Sequence, residues 1–400
     1  MKRIICAVVC VILVVAMFTS CDTGNTIKIG VFEPLTGNDA KGGQLELEGI
    51  KLAHEKVGTV LNKKVQLVIQ DNKSLKTTAV NVIKDLADKK NVIAMIGSWG
   101  TQYSNAASIQ IMSKGVPSIA PSCTGSDVTR NNEYYFRACF IDEYEGTLMA
   151  NYAFKMLTGK DDFTSAEKAD DKVKKPTVAL LICRPATSTY SYSQNTAEAF
   201  KQVMIKKVGD REKTIKAIEY YAKDTMDFTT ALNNIKATNP DVIYAPGDSK
   251  QVAAIAKKAK ELGIKSKILT GDTVENQEFL DDGGADVEGV TIISFFDINH
   301  KFTEETTKFL DAYKKSGDKS SQELAVIAQA YDAYMIMIDA IERAGSTDAT
   351  EIRQALYDTK DFQGATGVIN FDKYGDAQKD GIVKVVENGQ FKMLQTISNK

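Results

Sequence analysis

The alternation of short apolar segments with longer amphipathic ones constrains the fold of this chain more than any other feature. In the first half, the strand-like segments are Ile27–Phe32, Val65–Ile69, Val92–Ile96 and Pro117–Ala120. The helix-like segments between them are Gln44–Val57, Leu75–Lys89 and Gln102–Lys114. Strands separated by helices of this length predict βαβ units, and therefore a parallel sheet.

The same alternation starts again at residue 178. Its strand-like segments are Val178–Ile182, Ile215–Tyr221, Val242–Ala245, Ile268–Leu269 and Val290–Phe296. Its helix-like segments are Gln194–Lys207, Asp227–Asn239 and Gln251–Leu262, with Gly263 as the expected stop of the last one. Two successive α/β units are therefore predicted, each with its own sheet.

The rest of the chain adds one linking segment and a C-terminal part. The stretch 159–175 is rich in charge and is predicted to be a surface loop. Apolar residues at helical spacing from Leu324 to Ile341 predict a long helix that ends before Gly345. A strand over Thr366–Asp372 and a hairpin of Val383–Val386 with Phe391–Leu394, turning at Asn388-Gly389, complete the prediction.

The N-terminus has the composition of an export signal. Lys2 and Arg3 precede the apolar run Ile4–Phe18, which small residues and Cys21 follow. The run is shorter than the roughly 20 apolar residues of a membrane-spanning helix, although a retained anchor helix is the alternative. Residues 18–21 also resemble a bacterial lipobox. We therefore expect a signal peptide over 1–20, a lipidated linker over 21–26, and attachment to a membrane through lipid on Cys21.

Composition and motifs exclude several classes of function. The chain has 50 Lys and Arg against 52 Asp and Glu, without a basic run, so nucleic acid is not expected as a partner. The only histidines, His54 and His300, lack metal-ligand spacing and are expected to be solvated. No nucleophile motif or phosphate-binding loop occurs, so no catalytic residue, metal or cofactor is predicted. Binding is therefore the better hypothesis than catalysis.

Polar loops follow several of the predicted strands, where open α/β sheets bind ligands. Thr101 begins a helix and is expected to cap it, and the amides beyond it suit a carboxylate. Ser122 and Thr124 follow the fourth strand, and Asp272 follows a strand of the second unit. These residues predict a cleft with hydroxyls on one side and an acid on the other, which suits a zwitterion. In the alternative, Thr101 is only a cap and Asp272 only part of a turn.

Several further segments follow one another in a characteristic order: Lys28–Gly37, Val116–Ser122, Tyr135–Arg137 with Asp142 and Gly146, Tyr192–Phe200, and Gly367–Phe371 with Gly375-Asp376. From Ile27 to about Leu394 they resemble the leucine/isoleucine/valine-binding proteins of ABC transporters, which have the type I periplasmic-binding fold. The resemblance implies two Rossmann-like α/β lobes with parallel-core sheets, joined by three hinge crossings near residues 141, 296 and 378. Lobe 1 would comprise 27–141 plus 297–378, and lobe 2 would comprise 142–296 plus 379–400.

The resemblance also implies roles for individual residues. Thr101 would hold the carboxylate of the ligand, and Ser122 and Thr124 would contact both carboxylate and ammonium. Asp272 would neutralise the ammonium, and Tyr192 would line the cleft from the second lobe.

Three positions depart from the pattern of branched-chain amino acid binders. Gly42 and Asp248 stand where those proteins often place aromatic side chains, and Trp99 adds bulk beside Thr101. Asp248 suggests a polar pocket for the ligand's side chain, which disfavours an aliphatic ligand. Trp99 is predicted to contact the ligand, with packing in the core as the alternative.

The resemblance implies an extracytoplasmic substrate-binding lipoprotein of an ABC importer that captures an amino acid or a similar small polar solute. It would act as a monomer without a cofactor, and its partners would be the permease, the ATPase and the membrane. Ligand binding would favour a closed form. Three alternatives are a receptor for a signalling partner, a binder of amides or urea, and a secreted enzyme with an unrecognised active site.

Overall fold

The computed structural model of the chain describes residues 25–184, 192–314 and 321–398. The predicted signal peptide and the predicted lipidation site at Cys21 lie outside the described residues.

The first α/β unit is a six-stranded sheet in the order β2-β3-β1-β4-β5-β6. Its strands are β1 Thr26–Glu33, β2 Thr59–Val60, β3 Lys63–Asp71, β4 Ala94–Ile96, β5 Ser118–Ala120 and β6 Tyr135–Arg137. Its crossover helices are α1 Ala40–Lys56, α2 Lys76–Asp88 and α3 Thr101–Lys114. All neighbours pair in parallel except β2 with β3. The four strands and three helices predicted for this unit are confirmed, whereas the edge strands β2 and β6 were not predicted.

The second unit is a seven-stranded sheet in the order β16-β15-β11-β10-β9-β7-β8. Its strands are β7 Val178–Cys183, β8 Ile215–Tyr221, β9 Val242–Tyr244, β10 Lys267–Thr270, β11 Thr291–Ser294, β15 Gly381–Glu387 and β16 Gln390–Ile397. Its helices are α4 Asp142–Thr158, α5 Ser165–Ala169, α6 Tyr192–Val208, α7 Arg211–Thr214, α8 Thr229–Thr238, α9 Ser249–Glu261 and α10 Gln277–Gly283. The strands from β11 to β8 are parallel, and the predicted hairpin β15–β16 is confirmed at the antiparallel edge.

The predicted surface loop over 159–175 contains the short helix α5. Thr164 caps this helix in a capping box with Glu167, and none of the five helical residues is buried. The stretch is therefore a surface segment with local helical structure, not a plain loop.

The segment between β11 and β15 packs against the first sheet. It contains α11 Glu304–Tyr313, α12 Ser321–Ala344 and α13 Ala349–Tyr357, followed by a small sheet of β12 Phe362–Gly364, β13 Gly367–Phe371 and β14 Ala377–Gln378. Within the described residues, α12 is long and apolar enough to span a membrane, but 83% of its most apolar window is buried inside the protein. It is therefore the core helix that the apolar spacing predicted.

The chain passes between the two sheets three times: between β6 and α4, between β11 and α11, and between β14 and β15. Hereafter the first lobe is the six-stranded sheet with the elements packed on it, and the second lobe is the seven-stranded sheet with its helices. The predicted fold class, two α/β lobes with parallel-core sheets, is confirmed. The lobe limits at 141, 296 and 378 stay a prediction.

Candidate functional site

The loops at the carboxyl ends of strands from both sheets meet around a cavity of about 280 Å³. This is where parallel sheets place ligands. Six of the seven residues predicted to bind the ligand line it, namely Trp99, Thr101, Ser122, Thr124, Tyr192 and Asp272. The other lining residues are Thr273, Glu275, Phe295, Ala325, Val326 and Gln329.

Asp248, the seventh predicted residue, does not line this cavity. It lies in a separate, open depression of about 520 Å³ whose charged residues include Lys223, Lys250 and Glu278. Thr273 borders both spaces, and its hydroxyl donates to the carbonyl oxygen of Gly247 at 2.7 Å. The prediction that Asp248 makes the ligand's side-chain pocket polar therefore has no support in its position.

A larger groove of about 590 Å³ lies near the three passages between the sheets. Tyr144, His300, Phe302 and Lys379 are among its lining residues, and none of the predicted binding residues is. His300 packs edge-on against Phe302, and His54 is hydrogen-bonded to the hydroxyl of Tyr334 at 2.9 Å. Both histidines are partly exposed, so the expected contact with solvent is kept, although each also packs against an aromatic ring.

On the first-lobe wall, Thr101 is the first residue of α3, and Gly100 occupies the cap position without a side-chain hydrogen bond. The expectation that Thr101 caps the helix is therefore wrong. Its hydroxyl oxygen instead accepts the backbone N–H of Gly125 at 3.1 Å, which joins two loops of the wall. Within the described residues no acceptor takes the hydroxyl hydrogen of Thr101, so that hydrogen is available to a ligand carboxylate.

Two buried acids lie behind this wall. The backbone N–H of Trp99 donates to Glu33 Oε2 at 2.7 Å, and the Ser122 hydroxyl donates to Glu46. Burial raises the pKa of Glu46 to about 7 and that of Glu33 well above its ordinary value, and the two carboxyl groups interact with each other. Because Ser122 gives its hydrogen to Glu46, the oxygen of Ser122 is left to accept a hydrogen bond from the ligand.

Trp99 explains the glycine at position 42. A Cβ on Gly42 would lie 2.2 Å from the indole of Trp99, so the ring occupies the space that a side chain at 42 would need. Trp99 is partly exposed and borders the cavity. Trp99, in the loop after β4, therefore provides the aromatic surface that other members of the family would provide from position 42 on α1.

On the second-lobe wall, Tyr192 lies between two carboxyl groups. Its hydroxyl donates to Glu145 Oε1 at 2.7 Å and lies 3.2 Å from Asp272 Oδ1. The backbone N–H of Asp272 donates to the same Glu145 oxygen at 3.1 Å. Burial raises the pKa of Asp272 to about 7, and burial with the neighbouring charge of Asp272 raises the pKa of Glu145 well above its ordinary value.

Glu275 is the second acid that lines the cavity, and it belongs to a buried ionic cluster. Lys384 Nζ lies 2.5 Å from Glu275 Oε1 and 3.1 Å from Asp297 Oδ2. Lys384 also donates to the carbonyl oxygen of Phe296 at 2.7 Å, and the Ser294 hydroxyl donates to Glu275 at 2.5 Å. The cluster thus joins a cavity residue to β11, to the second passage between the sheets and to β15.

Sequence reasoning missed Glu46, Glu145 and Glu275. The signal for the first two was an acid on the buried face of a helix: Glu46 shares its face with Gly49 and Ile50, and Glu145 shares its face with Leu148. Among the residues the structure describes, no group of three or more His, Cys, Asp or Glu side chains is arranged to hold a metal ion.

Two α/β lobes with a small cavity between their strand ends have the architecture of a two-lobed solute-binding protein. The chain belongs to the family described as Periplasmic binding protein, which it matches over residues 26–390. It is similar to a Leu/Ile/Val-binding protein homolog of Brucella melitensis, with 26% identity over 88% of each chain. It is also similar to a leucine-, isoleucine-, valine-, threonine- and alanine-binding protein of Pseudomonas aeruginosa, with 26% identity over 88% of this chain and 87% of that one.

Solved structures agree with this assignment. A leucine-binding protein of Thermotoga maritima is 32% identical with a TM-score of 0.74, over 93% of this chain and 99% of that one. A branched-chain amino acid transporter substrate-binding protein of Streptococcus pneumoniae, solved with isoleucine, is 27% identical with a TM-score of 0.70, at the same coverage. A solute-binding protein of Rhodopseudomonas palustris, solved with 3,4-dihydroxybenzoic acid, has a TM-score of 0.71 at 20% identity, over 94% and 98%. The predicted family is confirmed, and the chain is a substrate-binding protein of an ABC transporter.

Proposed function

We propose that the cavity binds an amino acid as a zwitterion. The observation that carries the proposal is the difference between the two walls: hydroxyl groups and helix amides on one, carboxyl groups on the other. The Thr101 hydroxyl and the first-turn amides of α3 would hold the carboxylate. Asp272, the Tyr192 hydroxyl and the oxygen of Ser122 would hold the ammonium.

A ligand with a carboxylate but no ammonium fits this cavity less well. No Lys, Arg or His is among the described lining residues, whereas Asp272 and Glu275 are. An aromatic acid, such as the one bound by the Rhodopseudomonas neighbour, would bring a second negative charge beside Asp272 and leave that carboxylate without a partner. This argument favours amino acids over benzoates as the ligands of this chain.

The space beside the two walls favours an apolar or hydroxylated side chain. Phe295, Ala325 and Val326 border it together with Trp99, and Gln329 adds one polar group. With Asp248 outside the cavity, the reason to disfavour an aliphatic ligand no longer holds. A volume of about 280 Å³ lies just below the roughly 300–1,000 Å³ typical of ligand pockets, in keeping with a small ligand.

We further propose that the lobes close around the ligand about hinges near 141, 296 and 378. Tyr192 and Asp272 stand on one lobe and Thr101 on the other, so both ends of a zwitterion are held only when the lobes approach each other. Ligand would shift the population towards the closed form, which the permease would recognise.

The N-terminal sequence supports a proposal about location. Residues 1–20 would direct export, and lipid on Cys21 would tether the monomeric binding domain to the extracytoplasmic face of a membrane. Cells fed labelled palmitate should incorporate label into the wild-type protein and not into Cys21→Ser. Equal labelling of the two proteins would contradict lipidation at this position.

The proposed ligand class is tested by a thermal-shift screen of residues 22–400 against L-amino acids, simple amides, urea and 4-hydroxybenzoate. A solute that binds only the folded protein raises the melting temperature. We expect the largest shift from an aliphatic or hydroxylated L-amino acid. A larger shift with an amide or urea would favour the alternative of an amide binder, and a shift with the benzoate alone would contradict the proposal.

The role of a sensory receptor is the second alternative. It predicts the same ligand but a different partner. Uptake of the labelled amino acid by cells, measured with and without the gene, separates the two, because only a transport component changes the rate of uptake.

A further inference from the structure

The hydroxyl of Tyr192 contacts two carboxyl groups, but it has only one hydrogen to donate and cannot bond both of them when both are ionised. The phenol oxygen contacts Glu145 at 2.7 Å and Asp272 at 3.2 Å, but a phenol carries a single hydrogen. If both carboxyl groups were ionised, one of the two contacts would set lone pair against lone pair. A proton on Asp272 removes the deficit, because Asp272 then donates to the phenol while the phenol donates to Glu145.

The close approach of these groups depends on the glycine at position 271. A Cβ on Gly271 would lie 1.7 Å from the Tyr192 hydroxyl and 2.3 Å from Glu145 Oε1, so only glycine permits the approach. Glu145 is fully buried, and its Oε2 has no hydrogen-bond partner among the described residues. A second ionised carboxylate in such a place carries a large desolvation cost, so retention of a proton is favoured.

The surrounding charges do not supply a counter-ion. The titratable and charged groups that face the pair from neighbouring elements are Asp142 on α4, Tyr192 on α6, Tyr244 on β9, Glu275 after β10, Asp297 after β11 and Lys384 on β15. Lys384 is the single cation of this set, and its Nζ is already bonded to Glu275 and Asp297.

We propose that Glu145 and Asp272 share one proton in the ligand-free protein and that the ligand's ammonium group replaces it. On binding, the carboxyl O–H bond breaks, the proton leaves to the buffer, and ammonium N–H groups donate to the ionised Asp272 and to the phenol oxygen of Tyr192, whose own hydrogen bond to the ionised Glu145 is kept. Glu145 is thereby a specificity-determining residue, because the pair of acids carries two negative charges only when a cation occupies the site. The inference rests on the proposed amino-acid ligand and deepens it.

The test is calorimetry of the wild type, Glu145→Gln and the control Asp248→Asn with L-leucine and L-threonine, in two buffers of different ionisation enthalpy. Below pH 7 the wild type and the control should release close to one proton per amino acid bound. Their affinity should rise by up to about tenfold per pH unit as the pH increases towards 7. Glu145→Gln should release few protons and show a flatter profile. Binding to the wild type without proton release, or equal release by Glu145→Gln, would overturn the proposal.

If neither amino acid binds, the proposed function fails, and the ligand-free protein still tests the shared proton. The folded wild type would then hold more protons than the unfolded chain between about pH 4.5 and 7, so its stability should fall with rising pH more steeply than that of Glu145→Gln. Equal slopes in denaturant titrations would overturn the proposal. Should Glu145→Gln not fold, Asp272→Asn removes the same proton and replaces Glu145→Gln in the denaturant titrations.

Discussion

Both walls of the cavity contain buried acids, but they use them in opposite ways. On the first lobe, Glu33 and Glu46 lie behind the wall, bonded to the Trp99 N–H and the Ser122 hydroxyl, and neither lines the cavity. On the second lobe, Asp272 itself borders the cavity. The first wall therefore presents neutral groups to the ligand, and the second presents charge.

The comparison shows that depth, more than residue type, determines what an acid does in this protein. One layer behind the surface, Glu33 and Glu46 hold the loops through Trp99 and Ser122, and burial raises the pKa of both acids. At the surface, a carboxylate attracts a cation in a poorly solvated site, where Coulomb interactions are stronger than in water. A zwitterion has one charge of each sign and therefore matches this asymmetry. Substitutions in the two walls should have four effects of decreasing size.

The largest effect should come from the ion pair that anchors the first wall. Arg137 Nε lies 2.6 Å from Asp376 Oδ1, both side chains are fully buried, and Arg137 Nη1 donates to the carbonyl of Cys123 at 2.8 Å. Asp376→Asn leaves a buried guanidinium without its counter-charge, so denaturant unfolding should show a loss of about 3–5 kcal/mol. The partly exposed pair Arg353–Glu133 is the control: Glu133→Gln should cost less than about 1 kcal/mol. Similar losses in the two variants would contradict the role of Arg137.

The second effect concerns the charge on the second wall. Asp272→Ala removes the carboxylate that faces the ligand's ammonium, and calorimetry should show an affinity loss of roughly a hundredfold, about 3 kcal/mol. Asp248→Ala, an acid outside the cavity, should change affinity less than threefold by the same measurement, roughly 0.6 kcal/mol. Unchanged affinity in the Asp272 variant would refute the assignment of this residue.

The third effect concerns the acid pair behind the first wall. The folded-state pKa of Glu46 is raised to about 7 by burial, so the folded protein holds more protons than the unfolded chain between about pH 4.5 and 7. Stability should therefore fall as the pH rises through this window. Glu46→Gln keeps an acceptor for Ser122 and should reduce the fall by about 2 kcal/mol. Parallel stability profiles of the two proteins would show that the folded protein does not raise the pKa of Glu46.

The smallest effect concerns the hydroxyl for the carboxylate. Thr101→Val removes one hydrogen bond to the ligand and the acceptor of the Gly125 N–H. Affinity should fall about tenfold, or about 1.4 kcal/mol, whereas Thr101→Ser should bind within threefold of the wild type. A serine variant as weak as the valine variant would mean that the methyl group, not the hydroxyl, matters at this position.

The sequence predicted the architecture because periodicity and strand-end loops are local signals. The parallel strands, the crossover helices and the terminal hairpin all follow from patterns within a few tens of residues. Six of the seven residues predicted to bind the ligand lie in one cavity because parallel strands bring their carboxyl ends to the same edge. The short edge strand β6 escaped prediction because three residues carry too little periodicity.

What the sequence could not predict depends on contacts between distant segments. Glu145 contacts Asp272 across 127 positions of the chain, and Ser122 contacts Glu46 across 76. Asp248 was misplaced for the same reason, since a strand-end position alone does not reveal that Thr273 stands between it and the cavity. Whether an acid lines the cavity or lies on the nearby surface depends on which residues it contacts, and its residue type does not reveal this.

The most direct test of the two-wall account uses three ligands and one protein. The tightest-binding amino acid of the screen, its analogue without the amino group and its analogue without the carboxylate are titrated calorimetrically into residues 22–400. The account predicts that each truncated analogue binds at least about a hundredfold more weakly, because each leaves one wall without its partner. An acid analogue that binds as tightly as the amino acid would contradict the account.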